Sequence, residues 1–390
     1  MNAEQRLLHE VTEKDTLNIV VLGGGRVGHA MVLDLAGCGH AVTLADIDSD
    51  ALAKLADFPG VATVRADLGD PAELARVVAP AELVVGAVPG FMGFETVRRV
   101  LLEGKPVVDI SFFPEDAMEL DTIAREAGVP CLVDCGVAPG LSNLVLGRME
   151  AALDETHRFE CLVGGLPVLR TLPYEYKAPF SPIDVLEEYT RPARFRIDGH
   201  EVVFPALSDV ELVDIPGVGT LEAFNTDGVR SLLRTCSTPT MVEKTMRYPG
   251  HADLMRTFRE TGLFSTEAVD TPSGPVVPLD LTAKLLFRAW KYDEGEEDLT
   301  AMRITVEGVD GGKSVRHVFH LLDRYDPVTR ISSMARTTGY TCTAMVALVA
   351  SGTWKEPGVA PPEFVGRRED CFDAILAYLS ERGVHFGPQG

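Results

Sequence analysis

Six short runs of aliphatic and β-branched residues recur through the first third of the chain: LNIVVLG (17–23), HAVTLAD (40–46), VATVRAD (61–67), ELVVGAV (82–88), PVVDIS (106–111) and VPCLVD (129–134). They are apolar nearly throughout rather than alternating, the pattern of parallel strands covered on both faces. Between them lie amphipathic stretches such as RVGHAMVLDLAG (26–37) and DAMELDTIAREAG (116–128), the second closing on Gly128 where a helix C-cap belongs. Strand, helix, strand repeated this way predicts right-handed crossovers and a doubly wound sheet of the Rossmann type.

After Asp134 the pattern changes. DCGVAPGLSN (134–143) is a loop of small residues, and LSNLVLGRMEAAL (141–153) after it reads as a helix. Half-buried segments follow at 158–165, 194–199, 201–207, 219–226 and 301–323, which predict antiparallel strands, with a hairpin turning at VDGGK (309–313). Helices are expected at 228–235, 251–261, 279–292, 339–352 and 367–383. The chain therefore reads as α/β. An N-terminal Rossmann domain spans 1–134, a middle α+β domain for substrate binding and dimerisation spans 135–335, and C-terminal helices (336–390) return to complete the first domain.

Charge narrows the partners. Asp and Glu number 58 against 36 Lys and Arg, a formal net charge of −22, which repels nucleic-acid phosphates and anionic lipid. The expected partners are a small amino-acid substrate and further copies of the chain. The seven cysteines are scattered without a CxxC pair, as buried thiols in a reducing compartment would be. Residues 1–16 carry charges and no apolar core of a leader, and no run of apolar residues is long enough to span a bilayer. A cytoplasmic protein is expected.

The chemistry begins at Gly23-Gly24-Gly25-Arg26-Val27-Gly28, which fits GxGxxG between an apolar strand and an apolar helix. In that context Gly23 permits the turn, Gly25 admits a pyrophosphate, with Arg26 and Val27 beside it, and Gly28 lets helix and strand close up. Asp46, at the end of the second run, is placed to accept hydrogen bonds from the adenosine ribose and to repel a 2′-phosphate, and no Lys or Arg follows before Lys54. The expected cofactor is NAD. Asp67 ends the third run, where a carboxylate serves either as a cap or as a partner for the adenine edge; Val88 and Pro89 follow the fourth, beneath the expected cofactor.

From residue 134 onward the sequence resembles the saccharopine dehydrogenase-like family. The likeness is carried by DCGVAPGLSN, GGLP (164–167), YEYKAPFSP (174–182), TDGVRSLL (226–233), RYPGHADLM (247–255), TTGYTCTAMVALVASG (337–352) and PPEFVGRREDCFDAILAYLSERG (361–383). It covers nearly the whole chain. It implies NAD(P)-linked oxidation at a C–N bond of a lysine-derived amino acid. Val137-Ala138-Pro139-Gly140 stands where saccharopine reductases tend to carry a Gly-Leu-Asp-Pro-Gly-like loop. Within the family the chain is therefore similar to the lysine 6-dehydrogenases, which oxidise the ε-amine of lysine, release ammonia and form piperideine-6-carboxylate. A saccharopine reductase and a non-catalytic NAD-binding scaffold are the alternatives.

Amine oxidation requires an unprotonated amine, hence a base, and a cation for the substrate carboxylate. Asp134 is a candidate to attract the ammonium or orient a water, or else a cap for its loop. Lys177 and His251 are candidate bases, Lys177 if desolvated and His251 if a helix start keeps it neutral. Tyr174, Arg230 and Arg247 are candidates for holding the substrate. His317 and His320, three apart on an expected strand, face opposite ways, and no metal site is expected.

Overall fold

The computed structural model describes residues 16–388. The segment read for a leader lies outside them through residue 15. The chain divides into two compact units. One runs up to Val133 and adds Cys342–Val359; the other takes Asp134–Thr341 and the residues from Ala360 onward.

In the first unit, β1 (Asn18–Leu22), β2 (Ala41–Asp46), β3 (Val61–Arg65), β4 (Leu83–Gly86), β5 (Val107–Asp109) and β6 (Pro130–Leu132) lie within the six apolar runs. Their pairings are parallel and the sheet order is 3-2-1-4-5-6, extended beyond β6 by β17 (Gly358–Ala360). That order reverses direction at β1/β4, the switch point where an open parallel sheet presents its ligand face. The central strands hold because they are buried on both faces, whereas the edge strand β3 is only half-buried; Val21, Leu22, Leu44, Leu83, Val84 and Val85 are all fully enclosed. Local signals end the helices as expected: Gly128 adopts φ 69° at the C-cap of Asp121–Ala127, and Asp70 caps Pro71–Val78 through the amides of Ala72 and Glu73.

The second unit carries a nine-stranded sheet in which β10 (Glu211–Ile215), β11 (Gly219–Asn225), β12 (Thr240–Arg247), β7 (Glu155–Pro167), β15 (Asp298–Asp310), β16 (Lys313–Arg324) and β18 (Phe386–Pro388) run in that spatial order. A side branch pairs β8 (Ala193–Ile197) with β12 and with β9 (His200–Phe204). A separate hairpin joins β13 (Val269–Thr271) to β14 (Gly274–Val276). The β15–β16 hairpin turns at Gly311-Gly312, both at positive φ as a two-residue hairpin loop demands.

Three expectations are corrected here. The second sheet is not wholly antiparallel: β7 and β12 pair in parallel. The helix expected at 228–235 shrinks to Leu232–Thr235, because Arg230 stands at φ 47° and interrupts helical geometry. Residues 336–390 do not return as a block to the first unit. The boundary falls inside the helix Ser333–Ala350, and from Ala360 the chain clusters with the second unit. There the helix Pro362–Gly366 packs on the helix Leu141–Ala152, with Gly147 admitting the backbone of Glu363.

Candidate functional site

The first unit contributes a nucleotide cradle. A Cβ on Gly28 would lie 2.0 Å from the Gly23 carbonyl oxygen, and one on Gly23 would meet the Ala87 carbonyl oxygen at 2.4 Å, so the turn closes only with glycine at both. Gly25 differs: it caps the helix Arg26–Gly37, and a Cβ there would meet nothing within 4 Å. The opening at that helix N-terminus is the space an anionic pyrophosphate takes against backbone amides. Arg26 stands exposed and Val27 buried on the first turn of that helix, and Val88 and Pro89 lead into the helix Gly90–Leu102.

Asp46 holds the rim of the cradle. Its Oδ2 accepts from the Gly24 amide at 2.5 Å and its Oδ1 from the Asp48 amide at 2.7 Å. Each oxygen keeps a second lone pair for ribose hydroxyls. Asp48 and Asp50 extend the negative field, Asp48 capping the next short helix through the Asp50 amide. Asp67 is exposed and accepts from the Gly69 amide at 2.9 Å, while its own amide donates to Glu73, so it caps its loop. The residues present fit a dinucleotide.

The second unit contributes a buried polar strip, costly to an interior unless each group is partnered. At one end Arg230 donates through Nε to both oxygens of Asp134, at 3.1 and 3.0 Å, with both side chains about 95% buried (exposures of 5% and 4%). Both residues also hold left-handed backbone, φ 55° for Asp134 and 47° for Arg230, strain of the kind that gathers at functional sites. The two were expected in separate roles as ammonium acceptor and carboxylate binder. The fold turns them towards each other.

In the middle of the strip stands Glu243 on β12, 3% exposed, with its Oε2 lacking any hydrogen-bond partner among the described residues. Burial, reinforced by Glu188 and Asp227, pushes its carboxyl up to about 8. Asp227 is engaged by Arg194, whose Nη2 lies 2.7 Å from it.

At the other end, Arg247 donates to Glu188 at 2.7 Å, to the Tyr189 hydroxyl at 3.3 Å, to the Tyr176 hydroxyl at 3.4 Å and to the Met246 carbonyl. His251 lies between Tyr189 and the backbone: Nδ1 is 3.2 Å from the Tyr174 carbonyl oxygen and Nε2 is 2.9 Å from the Tyr189 hydroxyl. Because a carbonyl oxygen only accepts, Nδ1 carries the proton and Nε2 accepts from Tyr189. Burial, with the Arg247 charge adding to it, drives the imidazole down to about 3. His251 is therefore neutral as expected, though from desolvation rather than from the helix start. Its Nε2 lone pair is taken up by the Tyr189 hydroxyl. Trp290 packs edge-on against Tyr174, Tyr176 and Tyr189 to close this end.

A cavity of about 130 Å³ opens beside Tyr174 and Tyr176, with Lys177 and Leu172 also on its wall. Lys177 donates to Glu296 at 2.5 Å. Sequence reasoning missed Glu243, Glu188, Asp227, Tyr189 and Trp290. The available signal was Glu243-Lys244 inside TMVEKTMR, charges within a segment that turns out to be a buried strand.

Comparison with known proteins agrees with this architecture. Residues 19–132 match the family described as the saccharopine dehydrogenase NADP binding domain, and residues 136–384 the saccharopine dehydrogenase C-terminal domain. The chain is 24% identical over 425 residues to a Pyricularia oryzae saccharopine dehydrogenase [NADP(+), L-glutamate-forming], covering 89% of this chain and 94% of that protein. It is 26% identical over 266 residues to the mitochondrial alpha-aminoadipic semialdehyde synthase of Rattus norvegicus, covering 64% of this chain and 28% of that protein. The fold matches the apo saccharopine dehydrogenase (L-Glu forming) of Saccharomyces cerevisiae with a TM-score of 0.77 at 19% identity, over 96% of this chain and 99% of that one. With both of its domains matched, the chain belongs to the saccharopine dehydrogenase family.

Proposed function

We propose that the protein is an NAD-dependent oxidoreductase acting on the terminal amine of a lysine-type amino acid, as a lysine 6-dehydrogenase does. The observation that carries this reading is the carboxylate balance of the buried strip. Arg194, Arg230 and Arg247 each face an acid of their own, in Asp227, Asp134 and Glu188. Glu243 keeps its Oε2 without a hydrogen-bond partner among the described residues. Such a strip leaves one buried carboxyl to receive an ammonium and is poorly suited to saccharopine, which carries three carboxylates.

The same sign argues for NAD. Asp46, Asp48 and Asp50 line the end of β2, and a 2′-phosphate there would meet three carboxylates, with Arg65 on the neighbouring strand as the nearest cation in register. The relatives' names specify NADP(+), whereas the acidic rim of this chain supports NAD in this reading. When bound, the nicotinamide supplies the hydride acceptor. The protein's own residues bind the substrate, bury it and manage its proton; Lys177, held by Glu296, stays outside that chemistry. Exposed Leu281 and Leu285 on one helix face, with exposed Leu169 and Leu172, support assembly of further copies in this reading.

The test is NADH formation with lysine, saccharopine and ornithine supplied separately, with ammonia assayed in parallel. Reduction of NAD by lysine with matching ammonia release is expected. Activity confined to saccharopine and NADP, with no ammonia, would replace this reading with that of a saccharopine reductase.

A further inference from the structure

Two buried acids of the second unit, Glu243 and Glu363, keep an Oε2 without a hydrogen-bond partner among the described residues; Glu363 accepts from Thr235 through its other oxygen, and Glu243 is the one set among the acid–guanidinium pairs. Asp134 faces Arg230, Asp227 faces Arg194, and Glu188 on the helix Pro182–Thr190 faces Arg247. The Cys161 thiol, opposite Glu243 on β7, is itself pushed well above its ordinary value and stays neutral. Of the charged groups whose fields reach Glu243, only Arg230 opposes its raised state, and Arg230 is already committed to Asp134.

The pocket for this carboxyl is built into the chain. A Cβ on Gly228 would fall 1.5 Å from Glu243 Oε1, so the carboxyl lies flush against the backbone of the TDGVR turn, in space that any other residue would fill. The second oxygen, Oε2, is buried and finds no donor among the described residues. A buried oxygen is costly to leave unpartnered, so its complement is a donor that arrives from outside. A divalent cation would call for several oxygen ligands. Asp134, Asp227 and Glu188 are each turned to a guanidinium, whereas a single alkylammonium offers three N–H donors and one charge.

We propose that Glu243 is the residue that receives the substrate's ammonium through Oε2 and takes its proton. This rests on the reading above that the substrate is a lysine-type amine. In the step, one ammonium N–H bond breaks and an O–H bond forms on Glu243. The electron pair stays on nitrogen, giving the neutral amine from which oxidation proceeds. A carboxyl raised towards 8 is a far better acceptor than an exposed one near 4.3, while an ammonium near 10.4 still needs the strip's acidity to be drawn in.

With its carboxyl raised to about 8, Glu243 is expected to carry a proton at pH 7 in the free protein, and seating an ammonium on its carboxylate should expel that proton. Titration calorimetry of the full chain with L-lysine, without cofactor, in two buffers of different ionisation enthalpy measures this. Wild type should release close to one proton per lysine bound at pH 7, and Glu243→Gln none. In parallel, Glu243→Gln should lower kcat by about a hundredfold or more, with melting temperature and NAD affinity retained. The rise of kcat/KM through pH 8 should be lost in Glu243→Gln and partly restored in Glu243→Asp. Gly228→Ala, which displaces the carboxyl without removing it, should mimic the loss.

Equal proton release in wild type and Glu243→Gln, no lysine binding, or an unchanged pH profile would overturn the proposal. Failure of the broader functional reading alone looks different: lysine would bind with the Glu243-dependent proton release, yet wild type would not reduce NAD with it.

Discussion

The two units meet the problem of charge in opposite ways. In the first, polar chemistry is confined to the rim of an apolar sheet: Gly25 opens space, Asp46 sits partly exposed at a strand end, and the strands beneath are hydrocarbon. In the second, charge is carried into the interior, where Asp134, Arg230, Glu243, Arg247 and His251 are nearly sealed from water. A rim can be altered residue by residue at small cost to folding. A buried strip links function to stability, because removing one partner strands the other in low dielectric.

The sharpest way to break that contrast is at the buried pair. Asp134→Ala leaves the Arg230 guanidinium without its acid and should lower unfolding free energy by about 3–5 kcal/mol in denaturant titration. Removing both partners should cost less than the sum of the two single changes. A loss under about 1 kcal/mol would mean that the strip is not a low-dielectric interior.

His251 gives the next effect. Its native value is depressed to about 3, below the unfolded value of about 6.5, so the unfolded chain binds the extra proton between those limits. The stability it contributes is present above pH 6.5 and lost as pH falls towards 3, with a slope approaching about 1.4 kcal/mol per pH unit for this one proton. His251→Gln should flatten that slope relative to wild type. An unchanged slope would place the acid sensitivity elsewhere.

The rim should show the converse behaviour. Gly25→Ala meets no atom within 4 Å, so melting should move little, yet the methyl enters the pyrophosphate space and NAD affinity should fall about tenfold, near 1.4 kcal/mol. Equal losses of stability and affinity would erase the distinction between rim and interior.

The same contrast explains what the sequence disclosed. Parallel strands buried on both faces leave an unbroken apolar signature, and GxGxxG between β1 and its helix is local in the chain, so cradle and sheet were legible at once. Residues 134, 230, 243 and 247 come together only through pairing of β11, β12 and β7, which no local pattern announces. Arg230 and Arg247 were visible as charges in distinctive segments, but their carboxylate partners were not. Glu243 escaped because TMVEKTMR reads neither as an apolar run nor as an alternation, even though it forms a buried strand. The helix expected over 228–235 failed for the same reason: a left-handed turn at Arg230, imposed by its pairing with Asp134, outweighs local propensity.

The central claim is that the electron pair leaves the carbon bearing the terminal amine of lysine, and isotope transfer tests it directly. With lysine deuterated at C6, the reduced cofactor should carry deuterium and show the corresponding gain in mass. With lysine deuterated only at C2, it should stay unlabelled. Label arriving from C2, or reduction seen only with saccharopine, would contradict the account.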